Sequence, residues 1–289
     1  MEPGVVTANG LEFAVLSDGP EDGPLALCLH GFPDTARTWR HLLPRLAGAG
    51  YRAVAPYLRG YAPSAVPADG AYDTGTLAVD ACELHEALGG DDRAVLVGHD
   101  WGAFAAYGAA NAEPERWRRV VTAAVPPLAA MGELFLRYDQ LRRSFYVFVF
   151  QTPLAEAAVS ADDLAFIERL WADWSPGYDA AEDVAWVKDS LRDPANLGAA
   201  IGYYRAMFSG PPGAPRAAAA QAAAAGVAPQ PTLYLHGRDD GCLGLDAIGP
   251  VSEHLSRGSE SLVVERAGHF LHLERPDEVG DRILAFLGA

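Results

Sequence analysis

Residues Val95–Gly102 read VLVGHDWG. An apolar run of strand type ends in Gly-x-Asp-x-Gly, and a small-residue segment of helical type, AFAAYGAA, follows it. The pattern G-x-S-x-G sets a serine nucleophile on a sharp strand-to-helix turn. Here the central residue is Asp100, flanked two residues away on each side by Gly98 and Gly102. Glycines at those offsets allow a tight turn and close backbone approach. The N–H groups that open the next helix favour a negative charge. Asp100 also suits a plain helix N-cap, and the surrounding chain has to decide between the two roles.

Outward from this turn, strands and helices alternate. LEFAVLSDG, LALCLHG, YRAVAPYL, AVLVGHD and RVVTAAVPP read as strands. TWRHLLPRLAGAG, TGTLAVDACELHEALGG and AFAAYGAANAEPERW read as helices between them. Apolar strands alternating with helices predict a mostly parallel sheet covered on both faces. From Leu128 the pattern changes to aromatic-rich helical stretches: ELFLRYDQLRRSFYVFVFQ, DDLAFIERLWADW and the region of NLGAAIGYYRAMF. An Ala-rich segment between prolines, APRAAAAQAAAAGVAPQP, reads as an exposed helix or tether back to the core, or as a hinge. TLYLHGRDD and SLVVERAGH resume the strands, and DEVGDRILAFL closes the chain as a helix. The expected organisation is an α/β core over 1–127 and 217–289 with a helical cap over 128–216. In open α/β sheets, ligands bind beyond the carboxyl ends of the strands.

The 289 residues carry a net charge of −16, which disfavours nucleic acid and anionic membrane as partners. Three widely spaced cysteines, Cys28, Cys82 and Cys242, suggest neither a disulfide framework nor a metal cluster. Cys28 reads as a small core residue. The start, MEPGVVTANG, lacks the basic and apolar regions of a signal peptide, and no apolar run is long enough to span a bilayer. The expected location is the cytoplasm, as a monomer or homodimer. No histidine pair has metal-ligand spacing with supporting carboxylates, and no phosphate loop or dinucleotide fingerprint is present, so no metal and no cofactor are expected.

Further polar residues fall at strand ends. His30-Gly-Phe-Pro33 ends LALCLHG, and there the Phe32 N–H can join the N–H of Trp101 in an oxyanion hole. The same four residues also read as a tight turn. Asp239 and Asp240 follow TLYLHG, where an acid can orient a histidine, and His269 follows SLVVERAG. His30 and His236 precede glycines at strand ends and suit loop-orienting roles. The order nucleophile, acid, histidine is that of a known hydrolase architecture.

A carboxylate nucleophile is ionised near neutral pH without a base. Attack on a carbonyl would give an anhydride, whereas displacement at a saturated carbon gives an alkyl ester on the enzyme. A histidine oriented by an acid can then activate water to hydrolyse that ester. The leaving group would be an epoxide oxygen or a halide.

With these residues in place, the chain resembles the α/β-hydrolase superfamily, in its epoxide hydrolase and haloalkane dehalogenase branch. The matching stretches are HGFP (30–33), LRGYAPS (58–64), GHDWG (98–102), HGRDD (236–240) and AGHFLHLERP (267–276). The resemblance implies an α/β-hydrolase fold with an inserted helical cap, and it favours Asp240 over Asp239 as the acid. It also implies two cap tyrosines that protonate an epoxide oxygen. FYVFVFQTP and GYYRAMF assign these as Tyr146 and Tyr204, with Tyr203 and Tyr138 as alternates. Tyr146 and Tyr204 also read as core aromatics at helical spacing. The substrate pocket is expected at Phe32, Pro33, Trp101, Phe145 and Phe270. Two positions depart from the family pattern: Tyr57 stands where an acidic residue is usual, and Ala62 replaces a common glycine.

The resulting expectation is a cofactor-free epoxide hydrolase for a small apolar epoxide and water, with Asp100 as nucleophile, His269 as base and Asp240 as its orienter. A haloalkane dehalogenase and a non-catalytic small-molecule binder on the same fold are the alternatives.

Overall fold

The computed structural model describes residues 3–288. Eight strands form one sheet: β1 (Gly4–Ala8), β2 (Leu11–Asp18), β3 (Leu25–Leu29), β4 (Arg52–Pro56), β5 (Val95–His99), β6 (Arg119–Ala123), β7 (Thr232–Gly237) and β8 (Glu260–Val264). Their spatial order is β1-β2-β4-β3-β5-β6-β7-β8. The β1–β2 and β2–β4 pairs are antiparallel and all the others parallel. β3 and β5 are buried along their whole length, which explains their unbroken apolar runs. β1 is not evident from sequence, because it is short, lies at the sheet edge and exposes Val5.

Helices α1 (Leu43–Gly48), α2 (Thr74–Ala87) and α3 (Trp101–Ala112) connect the core strands. The single helix expected over TWRHLLPRLAGAG is two pieces, a 3₁₀ turn at Ala36–His41 followed by α1. Pro44 lies in the first turn of α1, where its missing N–H costs nothing. The helix expected through AFAAYGAANAEPERW stops at Ala112 because Pro114 follows.

Between β6 and β7 lie α4 (Tyr138–Arg143), α5 (Phe145–Val149), α6 (Ala155–Trp174), α7 (Ala181–Leu191), α8 (Pro194–Ala206) and α9 (Pro215–Ala223). α6 is two helical pieces, broken by non-helical backbone at Ala161–Leu164. The chain has the α/β-hydrolase fold, a mostly parallel central sheet flanked by helices with an inserted helical cap. The Ala-rich segment is a helix, exposed on one side and packed on the core by the other, and not a free tether. As α9 it buries Ala217, Ala220 and Ala224 and packs on α2 and α3. Only small residues permit that approach: a Cβ on Gly75 of α2 would lie 1.9 Å from the Ala217 carbonyl oxygen. α10 (Leu271–Glu274) and α11 (Pro276–Leu287) end the chain. Among the described residues no helix is long and apolar enough to cross a membrane.

The cap is fastened largely through core backbone carbonyls. Tyr203 Oη donates to Arg59 O (2.8 Å), Asn196 Nδ2 to Gly60 O (2.7 Å), Ser190 Oγ to Ala62 O (2.7 Å) and Trp171 Nε1 to Pro33 O (2.8 Å). The loop 59–62 is itself anchored by the buried Arg59–Asp80 ion pair.

Gly75→Ala should force α2 and α9 apart and cost on the order of 2–3 kcal/mol, by the usual penalty for overpacking. Gly48→Ala, whose added Cβ meets nothing within 4 Å, should instead be neutral or stabilise by about 0.5–1 kcal/mol. Urea unfolding of the two variants against the parent checks both signs.

Candidate active site

Asp100 occupies the turn between β5 and α3 with φ 51° and ψ −119°. That left-handed backbone is costly for a residue with a side chain and is found where function holds it in place. The turn is tight enough that a Cβ on Gly102 would lie 2.1 Å from the Leu29 carbonyl oxygen. No side-chain capping bond forms, so the carboxylate is not used as an N-cap. It points to the core side of the cap, where its Oδ1 accepts the Phe32 N–H at 2.7 Å. Gly31 lets that loop approach, because a Cβ there would lie 2.3 Å from the same oxygen.

His269, fully buried, stands between two carboxylates. Its Nδ1 is 3.0 Å from Asp240 Oδ2 and its Nε2 is 3.7 Å from Asp100 Oδ2. Asp239 is exposed and does not reach it. Asp240 is held by the backbone N–H groups of Cys242 and Leu243, which donate to its Oδ1 at 2.7 and 2.8 Å. His236 secures the same loop through Leu243 O at 2.9 Å, and His30 ties the Phe32 loop to the Leu58 N–H at 3.0 Å. The His269 N–H donates to the carbonyl of Trp174 in the cap, which also accepts the Gly241 N–H. His99 Nε2 donates to the His269 carbonyl at 2.9 Å.

These contacts set the charges. Burial opposes a proton on His269, but the charge of Asp240 and the contact with Asp100 outweigh it and push His269 up to about 10. Burial would raise Asp100 and Asp240, yet their interaction with His269 and the backbone donors leaves both below the usual carboxylate range. The site at rest is a buried carboxylate–imidazolium–carboxylate row.

Asp100, Trp101, Tyr146, Tyr204 and His269 line one cavity of about 60 Å³. Its outer wall is apolar, with Phe104, Met131, Leu134, Phe135 and Met207. The two tyrosine rings meet edge to face, with centroids 5.4 Å apart. Burial holds both phenols well above their ordinary range, so both keep their protons. The Tyr204 hydroxyl has no hydrogen-bond partner among the described residues, whereas the Tyr146 hydroxyl lies 3.4 Å from Cys242 Sγ. Tyr203 faces Arg59 and Tyr138 is exposed, so neither alternate reaches the cavity.

The expected pocket needs correction. Of its five residues only Trp101 lines the cavity. Phe145 is 44% exposed and turns outward, being next to Tyr146 on α5 and so on another face of the helix. Phe32 and Phe270 are fully buried beneath the site. Phe32 packs on Phe150 and Tyr204, and Phe270 stacks on Trp171 with centroids 3.5 Å apart. Pro33 gives its carbonyl to Trp171. Larger hollows lie elsewhere on the surface, among them one of about 410 Å³ beside Arg59 and Asp69 and one of about 420 Å³ beside Arg142 and Phe145.

Sequence spacing did not bring out two further groupings. Asp34 in the loop after β3, His99 at the end of β5 and His272 in α10 have ligand-type atoms within 4.8 Å of one another, and so do Asp240, Cys242 and His269. In the first trio, burial keeps both histidines below their ordinary values, so both are held neutral, and raises Asp34.

Known proteins resemble the chain over nearly its whole length. The profile for the alpha/beta hydrolase fold matches residues 24–276. Epoxide hydrolase A of Mycobacterium tuberculosis is 31% identical over 314 residues, covering 98% of this chain and 96% of its own. The Bacillus subtilis AB hydrolase superfamily protein YfhM is 29% identical, with 98% and 96% covered. An epoxide hydrolase from Bacillus megaterium, solved with an inhibitor, superposes with TM-score 0.84 at 26% identity over 99% of this chain and all of its own. The chain is an α/β-hydrolase and belongs to the epoxide hydrolase family.

His269 holds its proton more tightly when folded than at its unfolded value of about 6.5. Its stabilising contribution is therefore complete below that pH and is lost as pH rises through about 10. The lowered Asp100 and Asp240 contribute above their unfolded value of about 3.9 and lose that contribution as pH falls below it. Melting temperature should rise toward about pH 6.5, as the buried neutral His30, His99, His236 and His272 cease to favour the unfolded chain, and decline from there toward pH 10. Asp240→Asn should flatten the alkaline decline. Parallel melting curves for the two proteins across this range would contradict the charge assignment.

Proposed function

We propose that this chain is an epoxide hydrolase that opens a small apolar epoxide to a vicinal diol, without cofactor. The observation that carries this reading is the convergence of a buried carboxylate, a histidine between two acids, and two protonated phenols on one apolar-walled cavity. Asp100 attacks an epoxide carbon, and the ring oxygen departs as it takes a proton from Tyr146 or Tyr204. The product is a hydroxyalkyl ester on Asp100.

Ester formation removes the charge of Asp100, one of the two carboxylates that hold the proton on His269. That proton becomes free to restore the phenol, so the transfer closes without net charge. Neutral His269, still oriented by Asp240, then takes a proton from water as the water adds to the ester carbonyl. The Phe32 N–H already contacts this carboxylate and stabilises the oxyanion that develops, with the Trp101 N–H as the second donor of this reading. Collapse expels the diol oxygen as an alkoxide, which takes the proton of the new carboxyl group, so the diol leaves with Asp100 restored as carboxylate and His269 as imidazolium.

Halide displacement would ask for two N–H donors aimed at the leaving group. Trp101 offers an indole, but the Phe32 side chain offers nothing. Neither Trp101 nor Phe104 supplies a charge for a haloacid carboxylate. For a protein that only binds its ligand, the strained backbone at Asp100 and the paired charges would be a cost without use.

With an aryl epoxide such as styrene oxide, the parent should form diol and Asp100→Ala should form none. Tyr204→Phe should lower turnover by roughly 10²-fold or more, the usual worth of a general acid. His269→Gln should stall at the ester and gain the mass of the epoxide on the peptide containing Asp100. Halide release from a bromoalkane in place of diol would overturn the assignment.

A further inference from the structure

The two phenols in the cavity are unequal. The Tyr204 hydroxyl is buried without a partner, while the Tyr146 hydroxyl lies 3.4 Å from Cys242 Sγ. O–H is a strong donor, whereas a thiol is a weak donor and a weak acceptor, so at rest the bond runs from Tyr146 to sulfur. Cys242 also lines the cavity and is 6% exposed. Its backbone N–H donates to Asp240 Oδ1 at 2.7 Å, and its carbonyl accepts Gln140 Nε2 at 2.8 Å. The residue is thus fixed at both backbone ends while its side chain touches the proton donor. It joins the half of the site that activates water to the half that protonates the leaving oxygen.

Building on the epoxide-opening reading above, we propose that Cys242 is a positioning residue for Tyr146, holding its hydroxyl at the cavity and bonding to the phenolate oxygen once the proton has gone to the substrate. At rest the sulfur accepts from the phenol. When the Tyr146 proton moves to the epoxide oxygen, the same contact reverses, with S–H donating to the phenolate. The thiol proton stays on sulfur throughout, so no net charge or atom is exchanged at Cys242. Burial and the neighbouring charges of Asp240 and Asp100 keep the thiol protonated, as that donor role requires. The same protonation withholds thiolate from electrophiles that enter the pocket. Cys28 and Cys82 are buried in the core outside the cavity lining and have no such partner.

Cys242→Ala should lower kcat by about tenfold with KM changed less than about twofold, a loss of the size expected from misplacing one catalytic group. Cys242→Ser, which keeps a donor and acceptor, should recover most of it. In the Tyr146→Phe background Cys242→Ala should cost nothing further, whereas in the Tyr204→Phe background it should cost its full amount. An undiminished loss beside Tyr146→Phe would overturn the proposal. Infrared spectroscopy supplies a readout independent of turnover: the S–H stretching band that vanishes in Cys242→Ser should shift in Tyr146→Phe and not in Tyr204→Phe. An unmoved band would overturn the proposal even in an active enzyme. A shifted band in a parent that forms no diol would instead overturn the epoxide reading and leave the contact standing.

Discussion

The carboxylate of Asp100 is buried at the end of β5, and its charge has to be matched within the protein. Phe32 N–H meets one oxygen and His269 approaches the other. An unpaired carboxylate in such a place would be protonated instead. Asp240 makes the match possible, because a second carboxylate keeps the imidazole charged against the cost of burial. The row of three is therefore mutually dependent, and the loops around it are arranged to hold each member. Two backbone N–H groups hold Asp240, His236 braces its loop, and His30 braces the loop of Phe32. Consuming the charge of Asp100 in an ester would unbalance the row, and this is what makes the charge pattern relevant to chemistry as well as stability.

The cap participates in that row. The carbonyl of Trp174, the last residue of α6, accepts N–H bonds from both Gly241 and His269. A cap residue thus positions the loops of the acid and the histidine together. Other bonds from cap side chains end on core carbonyls at Pro33, Arg59, Gly60 and Ala62. Backbone acceptors of this kind depend little on which side chains the core carries there. The LRGYAPS loop can therefore seat the cap although Tyr57 and Ala62 depart from the usual family residues.

Much of this was legible in the chain itself. The alternating runs gave the parallel sheet, because strands buried on both faces must be apolar throughout. Asp100, Asp240 and His269 were legible because each lies in the turn or loop that follows a strand, where this topology gathers side chains. Less legible were the features that depend on facing. Phe145 and Tyr146 are neighbours on α5, yet one turns outward and the other toward Asp100. Phe32 and Phe270 looked like pocket walls and instead support the site from beneath. The Ala-rich segment looked like a tether, since alanine alone has little apolar signal. It became a packed helix only because Gly75 and Gly108 leave room for it.

By itself the sequence determined the fold class, the carboxylate at the strand-to-helix turn and the order of the candidate site residues, because periodicity and strand-end position are local properties. The tertiary structure decided the rest. It brought Met131, Phe135 and Met207 to the cavity wall, assembled Asp34, His99 and His272, and set Cys242 against Tyr146. Each of these depends on the direction in which a side chain leaves its loop or helix and on what the packing of distant segments places opposite it. No spacing along the chain encodes that.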